Sequence, residues 1–181
     1  MEKWKNKVEI EKLLGRFTMQ FSKLEFGLVF LCALTENDII NYQNYIEKYL
    51  KLSFGDKRDY LKEYIKNNLS SIYPTWTNIN AEIGVINEFR RHLIHGIGHS
   101  NLFQPEFKTM VSKSNKIDYK SFNKSDLLMI IGQVAEINTG VNGICGNFNT
   151  QFTSQRILLH NLTCYPDKKI IYMNNDYVLT E

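Results

Sequence analysis

The sequence predicts an all-α fold, an up-and-down bundle of about five helices with a small β-hairpin or loop insert before the last long helix. Three observations predict it. Apolar residues recur at three- and four-residue steps over most of the 181 residues. Short β-prone runs are confined to 107–122 and to the C-terminal tail. A chain of this length is one domain with a sizeable core, and with 3 Pro and 10 Gly it is neither disordered nor of low complexity.

From Trp4 to Thr35 the positions Val8, Leu13, Leu14, Phe17, Phe21, Leu24, Leu28 and Leu31 form one stripe, hence one long helix and one wall of the bundle. Asp38 is a candidate N-cap for a second helix to about Leu52, with Ile39, Tyr42, Ile46, Tyr49 and Leu50 as its buried side. Gly55 and Asp56 punctuate the chain there. A third helix follows over about Lys57–Leu69, turning Leu61, Tyr64, Ile65 and Leu69 inward and Lys57, Arg58, Lys62 and Lys66 outward as a solvated face. Pro74 closes a loop, and a fourth helix runs from Trp76 or Thr77 to His95, burying Ile79, Ile83, Ile86, Phe89, Leu93 and Ile94 until Gly96 and Gly98 stop it.

The runs Phe107–Ser112 and Lys116–Phe122 then suggest a hairpin or a long loop. Ser125 looks like the cap of a fifth helix, whose stripe runs from Leu127 through Leu128, Ile131, Val134, Ile137, Val141 and Ile144 to Phe148. Gly140, Gly143 and Gly146 on this helix suggest a seam of close approach. Residues 1–155 are thus read as the bundle, with 107–122 as its insert. Residues 156–181 are a tail whose runs Lys169–Met173 and Tyr177–Leu179 could be edge strands or an extended arm.

Lys and Arg number 22 against 19 Asp and Glu, a net charge of +3 that permits contact with a polyanion without demanding it. Three widely spaced cysteines, Cys32, Cys145 and Cys164, fit neither a disulfide framework nor a zinc ribbon and point to a reducing compartment. The longest uninterrupted apolar run, Phe26–Leu34, falls short of the ~20 residues of a membrane span. These features predict a cytoplasmic protein without a membrane partner.

Titratable and cationic groups gather only in Asn87–Gly96, at the end of an otherwise apolar helix. In a regular α-helix Arg90 and His95, five apart, stand about 7.5 Å along the axis and ~140° around it, so they converge only near a helix end or across an interface. Arg91 and His95, four apart, share a face. Arginine supplies a permanent forked cation and histidine a proton carrier near neutral pH, which together suit metal-independent cleavage of RNA, where the 2′-hydroxyl is the nucleophile. The competing reading is a helix C-terminus stabilised by cations and by a left-handed glycine at Gly96.

The run Arg90-Arg91-His92-Leu93-Ile94-His95-Gly96 resembles the Arg, four residues, His signature of HEPN domains. Its surroundings are similar too: a long first helix with Leu24-Glu25-Phe26, a Phe54-Gly55 entry to a middle helix, and a variable insert before a last long helix, over roughly residues 10–150. The resemblance implies a homodimer whose two motifs meet in a cleft, commonly a bacterial endoribonuclease of toxin or phage-defence type leaving a 2′,3′-cyclic phosphate. Arg90 would hold the scissile phosphate and His95 would transfer protons, with Arg91, Asn87 and His92 as substrate-binding neighbours. RNA and an antitoxin or regulatory protein are the implied partners. Two departures stand out: Arg91 replaces the family's usual Asn, Asp or His, and Ile97 replaces a Tyr found in some toxins. The alternative is a non-catalytic module that binds RNA, a nucleotide or a protein; Arg90 locked against Glu25 or Glu88 would favour it.

No cofactor fingerprint is present, and His92, His95 and His99, with no carboxylate or cysteine nearby except Glu88, are not read as a metal site. Lys108, Lys113, Lys116, Lys120 and Lys124 on the insert could guide RNA or simply solvate a loop.

Overall fold

The computed structural model describes residues 2–36, 38, 41–96, 102, 104–113, 116–147, 169–173 and 176–180. Five helices, α1 (Glu2–Leu34), α2 (Tyr42–Leu50), α3 (Phe54–Asn68), α4 (Tyr73–Arg90) and α5 (Lys124–Asn147), build the bundle. Between α4 and α5 stands an antiparallel hairpin, β1 (Glu106–Lys113) and β2 (Lys116–Asn123), in which Thr109 faces Lys120, Met110 faces Tyr119 and Val111 faces Asp118. The fold class is therefore as the periodicity predicts, and the insert is a hairpin rather than an open loop. In the tail, β3 (Lys169–Met173) and β4 (Asp176–Thr180) pair with each other, so these runs form a second hairpin. Phe148, Cys164 and residues 156–168 lie outside the described residues.

α1 is the organising element. Its 33 residues, about 50 Å, carry an unbroken stripe of Ile10, Leu13, Phe17, Phe21, Leu24, Leu28 and Leu31, each buried. Val8 on the same predicted stripe is exposed. α5 runs parallel to α1: Lys124 pairs with Glu9, Asn138 donates to the Gln20 carbonyl, and Val141 lies against Gly27. α4 packs against α5 and α3, with Ile83, Ile86 and the wholly buried Trp76 in the core. By length and mean hydropathy alone Trp4–Leu34 and Lys124–Cys145 would each pass as a membrane span; here their apolar sides are the centre of the bundle.

The helix starts differ from those read in the sequence, for local reasons. α2 begins at Tyr42, because Asp38 folds back on the Asn41 backbone and side chain instead of capping, and Leu50 is exposed rather than buried. α3 begins at Phe54: the Ser53 hydroxyl accepts from the Asp56 N–H while the Asp56 carboxylate accepts from the Ser53 N–H, a reciprocal cap that carries the helix straight through Gly55. α4 starts at Tyr73 with Pro74 in its first turn, where a missing N–H costs nothing. α5 is capped by Asn123, which accepts from the Ser125 and Asp126 N–H groups, so Ser125 lies inside the helix.

Two residues expected on the solvated face of α3 turn inward. Lys57 is 2% exposed; its ammonium donates to the Leu52 carbonyl at 2.9 Å and stands 3.7 Å from Glu25. Arg58 clamps α3 to α4 by donating to the Asn80 side-chain and backbone oxygens. Of the glycine seam, Gly140 meets Ile79, where a Cβ would come within 2.9 Å, whereas a Cβ at Gly143 would meet nothing. Gly140 therefore marks the α4–α5 approach, and Gly143 does not.

Candidate functional site at the end of helix 4

α4 does not stop at its motif. After Arg90 the backbone widens into a π-turn over Arg91–His95. A ladder that bonds i to i+5 brings residue i+5 close to the face of residue i. Arg90 is the last residue of α4, just before this turn, and His95 is the last residue of the turn, whose end is closed by the Gly96 N–H donating to the His92 carbonyl at 2.9 Å. π-turns of this kind are rare and concentrate at functional sites.

Gly96 ends the turn for a reason other than a left-handed cap. Its φ is −91°, open to any residue. A Cβ there would come 2.6 Å from the His92 carbonyl, 3.0 Å from the Met110 nitrogen and 3.0 Å from Thr109 Cβ, and the Met110 N–H donates to the Gly96 carbonyl at 3.4 Å. The glycine lets β1 lie against the turn.

The motif residues divide into two groups. Arg90 is half-buried with its guanidinium 5.0 Å from the centre of the Phe21 ring, where the negative face of the ring attracts it. It lines a recess of about 90 Å³ with Phe17, Thr18, Phe21, Ser22, Glu25 and Ile94. Among the described residues no carboxylate pairs with it: Glu25 turns to Lys57 and Glu88 to Arg91. His95 is exposed, as is Ile94, which was expected inside. Asn87 is half-buried one turn earlier and its carbonyl accepts from the Arg91 N–H.

Arg91 and His92 belong to the hairpin junction instead. Arg91 Nη2 donates to Glu88 Oε2 at 2.8 Å and stands 3.7 Å from Asp118 Oδ2. His92, 0% exposed, sits with Nδ1 3.0 Å from Thr109 Oγ1 and Nε2 3.1 Å from Asp118 Oδ2. A carboxylate only accepts, so Nε2 carries the hydrogen. The His92 hydrogen bond, first, and the Arg91 and Lys120 charges hold the Asp118 carboxyl below its ordinary value of 3.8. His92 is therefore removed from direct contact with a substrate, and Arg91 is neutralised by two carboxylates, which leaves Arg90 as the arginine with positive charge to offer.

Sequence reasoning missed Thr109 and Asp118. The signal was present in the alternation of β2: Asp118, Lys120 and Phe122 fall on one face, and Phe122 is buried. Of the insert's lysines, Lys120 lies over Phe89 at 4.9 Å and Lys124 pairs with Glu9, while Lys116 is exposed. Among the described residues no group of three His, Cys, Asp or Glu side chains gathers to hold a metal ion. His99 lies outside them.

Comparison of the chain with protein-family models, curated proteins and solved structures found no match.

Proposed function

We propose that this protein is a metal-independent endoribonuclease of the kind its resemblance to HEPN domains implies, of toxin or defence type, acting in the cytoplasm as a homodimer. One observation carries the reading: Arg90 has no carboxylate partner among the described residues although Glu25 lines the same recess, and the exposed His95 follows it on the π-turn.

In this reading a neutral His95 takes the proton of the 2′-hydroxyl as the 2′-oxygen attacks the adjacent phosphorus. The Arg90 guanidinium stabilises the charge on the pentacovalent phosphorane. The P–O5′ bond breaks, and the leaving 5′-oxygen takes a proton from the second histidine of the dimer cleft. The products are a 2′,3′-cyclic phosphate and a 5′-hydroxyl, and an antitoxin or regulatory protein would act by covering the cleft.

A second reading, a non-catalytic module that binds RNA through Arg90, is favoured by one feature: no side chain among the described residues orients the His95 imidazole. The test is incubation of the full chain with a mixed RNA pool in excess chelator, beside Arg90→Ala and His95→Ala. Loss of cyclic-phosphate products by about 10²–10³-fold in each variant is expected for the enzyme. Intact RNA, retained by wild type and released by Arg90→Ala, would select the module.

A further inference from the structure

The hairpin touches the π-turn at three points on three different groups. Thr109 holds one nitrogen of His92, Asp118 holds the other and faces Arg91, and the Met110 N–H bonds the Gly96 carbonyl. Together they grip the second, first and last parts of a five-residue turn with its closing glycine. A π-turn carries one residue more than an α-helical turn and is rare, so the contacts that meet it bear on its register. Arg90, by contrast, is fixed from the other side, by the Phe21 ring of α1.

We propose that the hairpin is a splint that sets the register of His95 against Arg90, and that Asp118 is its positioning residue. The proposal deepens the ribonuclease reading and, in its catalytic part, rests on it. Asp118 touches no substrate; it acts through His92 and Arg91. Releasing it lets the turn relax toward α-helical spacing, which swings His95 away while Arg90 stays on Phe21. Phosphate binding therefore survives and proton transfer suffers.

The test compares the full-length wild type with Asp118→Asn and, as an independent cut of the same junction, Thr109→Val. Two readouts are taken: amide hydrogen exchange over Arg91–Gly96, with α1 and α5 as the internal check on folding, and steady-state RNA cleavage. In both variants exchange over Arg91–Gly96 should quicken about tenfold or more, the charged hydrogen bond being the larger loss, with α1 and α5 unchanged. The kcat should fall about tenfold with KM within twofold, and Asp118→Glu should recover part of both. Unchanged exchange in Asp118→Asn and Thr109→Val overturns the splint whatever happens to cleavage. Quickened exchange with unchanged kcat overturns the positioning role. If wild type leaves RNA intact, the ribonuclease reading and with it the positioning role fall, and the exchange comparison alone decides the splint.

Discussion

Lys57 shows at the scale of one residue how a charge is held inside this bundle. Its ammonium has a carbonyl at 2.9 Å and a half-exposed carboxylate at 3.7 Å, so the interior position is hydrogen-bonded and only loosely paired. Truncating it leaves the Leu52 carbonyl without its donor and opens a cavity. Lys57→Ala should cost about 2–4 kcal/mol in urea unfolding, whereas Lys57→Met, which keeps the volume and removes the buried charge, should cost less than half of that. The sequence placed Lys57 outward because a lysine beside an arginine reads as a solvated face, and only the neighbouring end of α2 reverses this. Cys32 makes the complementary case. Burial pushes its thiol up to about 12, so it should resist iodoacetamide at pH 8 in the folded protein and react after unfolding, as peptide mass spectrometry would register.

At the scale of elements, the glycines separate into those that serve packing and those that do not. Gly15 and Gly132 are exposed in helix interiors with nothing within 4 Å of an added Cβ. Gly15→Ala and Gly132→Ala should each stabilise by about 0.5–1 kcal/mol in thermal or urea melts. Gly96→Ala should destabilise by about 1–3 kcal/mol, because its Cβ would strike backbone atoms of the turn and of β1 that cannot step aside. The hairpin's attachment should also depend on pH. Asp118 faces His92, Arg91 and Lys120 and has its carboxyl lowered, first by the His92 hydrogen bond. Its contribution is complete above the ordinary carboxylate range and is lost as pH falls through the lowered folded value, below 3.8. The Thr109 methyl resonance should therefore move on titration from pH 5 to 2 in wild type and stay still in Asp118→Asn. In sequence, the hairpin was legible as two β-prone runs, but its reason was not: the inner face of β2 reads as polar until its partner, the end of α4, is in place.

Among the described residues there is one core, to which α1 through α5 and the hairpin's Phe107 and Phe122 all contribute. Its two tryptophans report on opposite environments, Trp76 wholly buried in α4 and Trp4 63% exposed on α1. Unfolding in urea should accordingly be a single transition by Trp fluorescence and by far-UV circular dichroism, with coincident midpoints, and Trp4→Phe should leave the fluorescence amplitude nearly intact. Separate midpoints would mean that α1 and α5 do not share a cooperative unit with α4.

The sequence by itself determined the class of fold and marked out one crowded polar helix end. Apolar spacing is a local property, and it names five helices, their buried sides in the main, and the crowded polar end of α4, because a stripe must find a core wherever the chain goes. Only the tertiary structure decided which groups in that crowded end are available. Arg91 and His92 are claimed by a hairpin that begins 11 residues beyond Arg90's π-turn, at Glu106, and Arg90 is left over because Glu25 and Glu88 have other partners. Pairing between charges depends on distances across elements, which no spacing along the chain contains. The same holds for Lys57 and for Gly96, whose roles are set by the neighbour that packs against them.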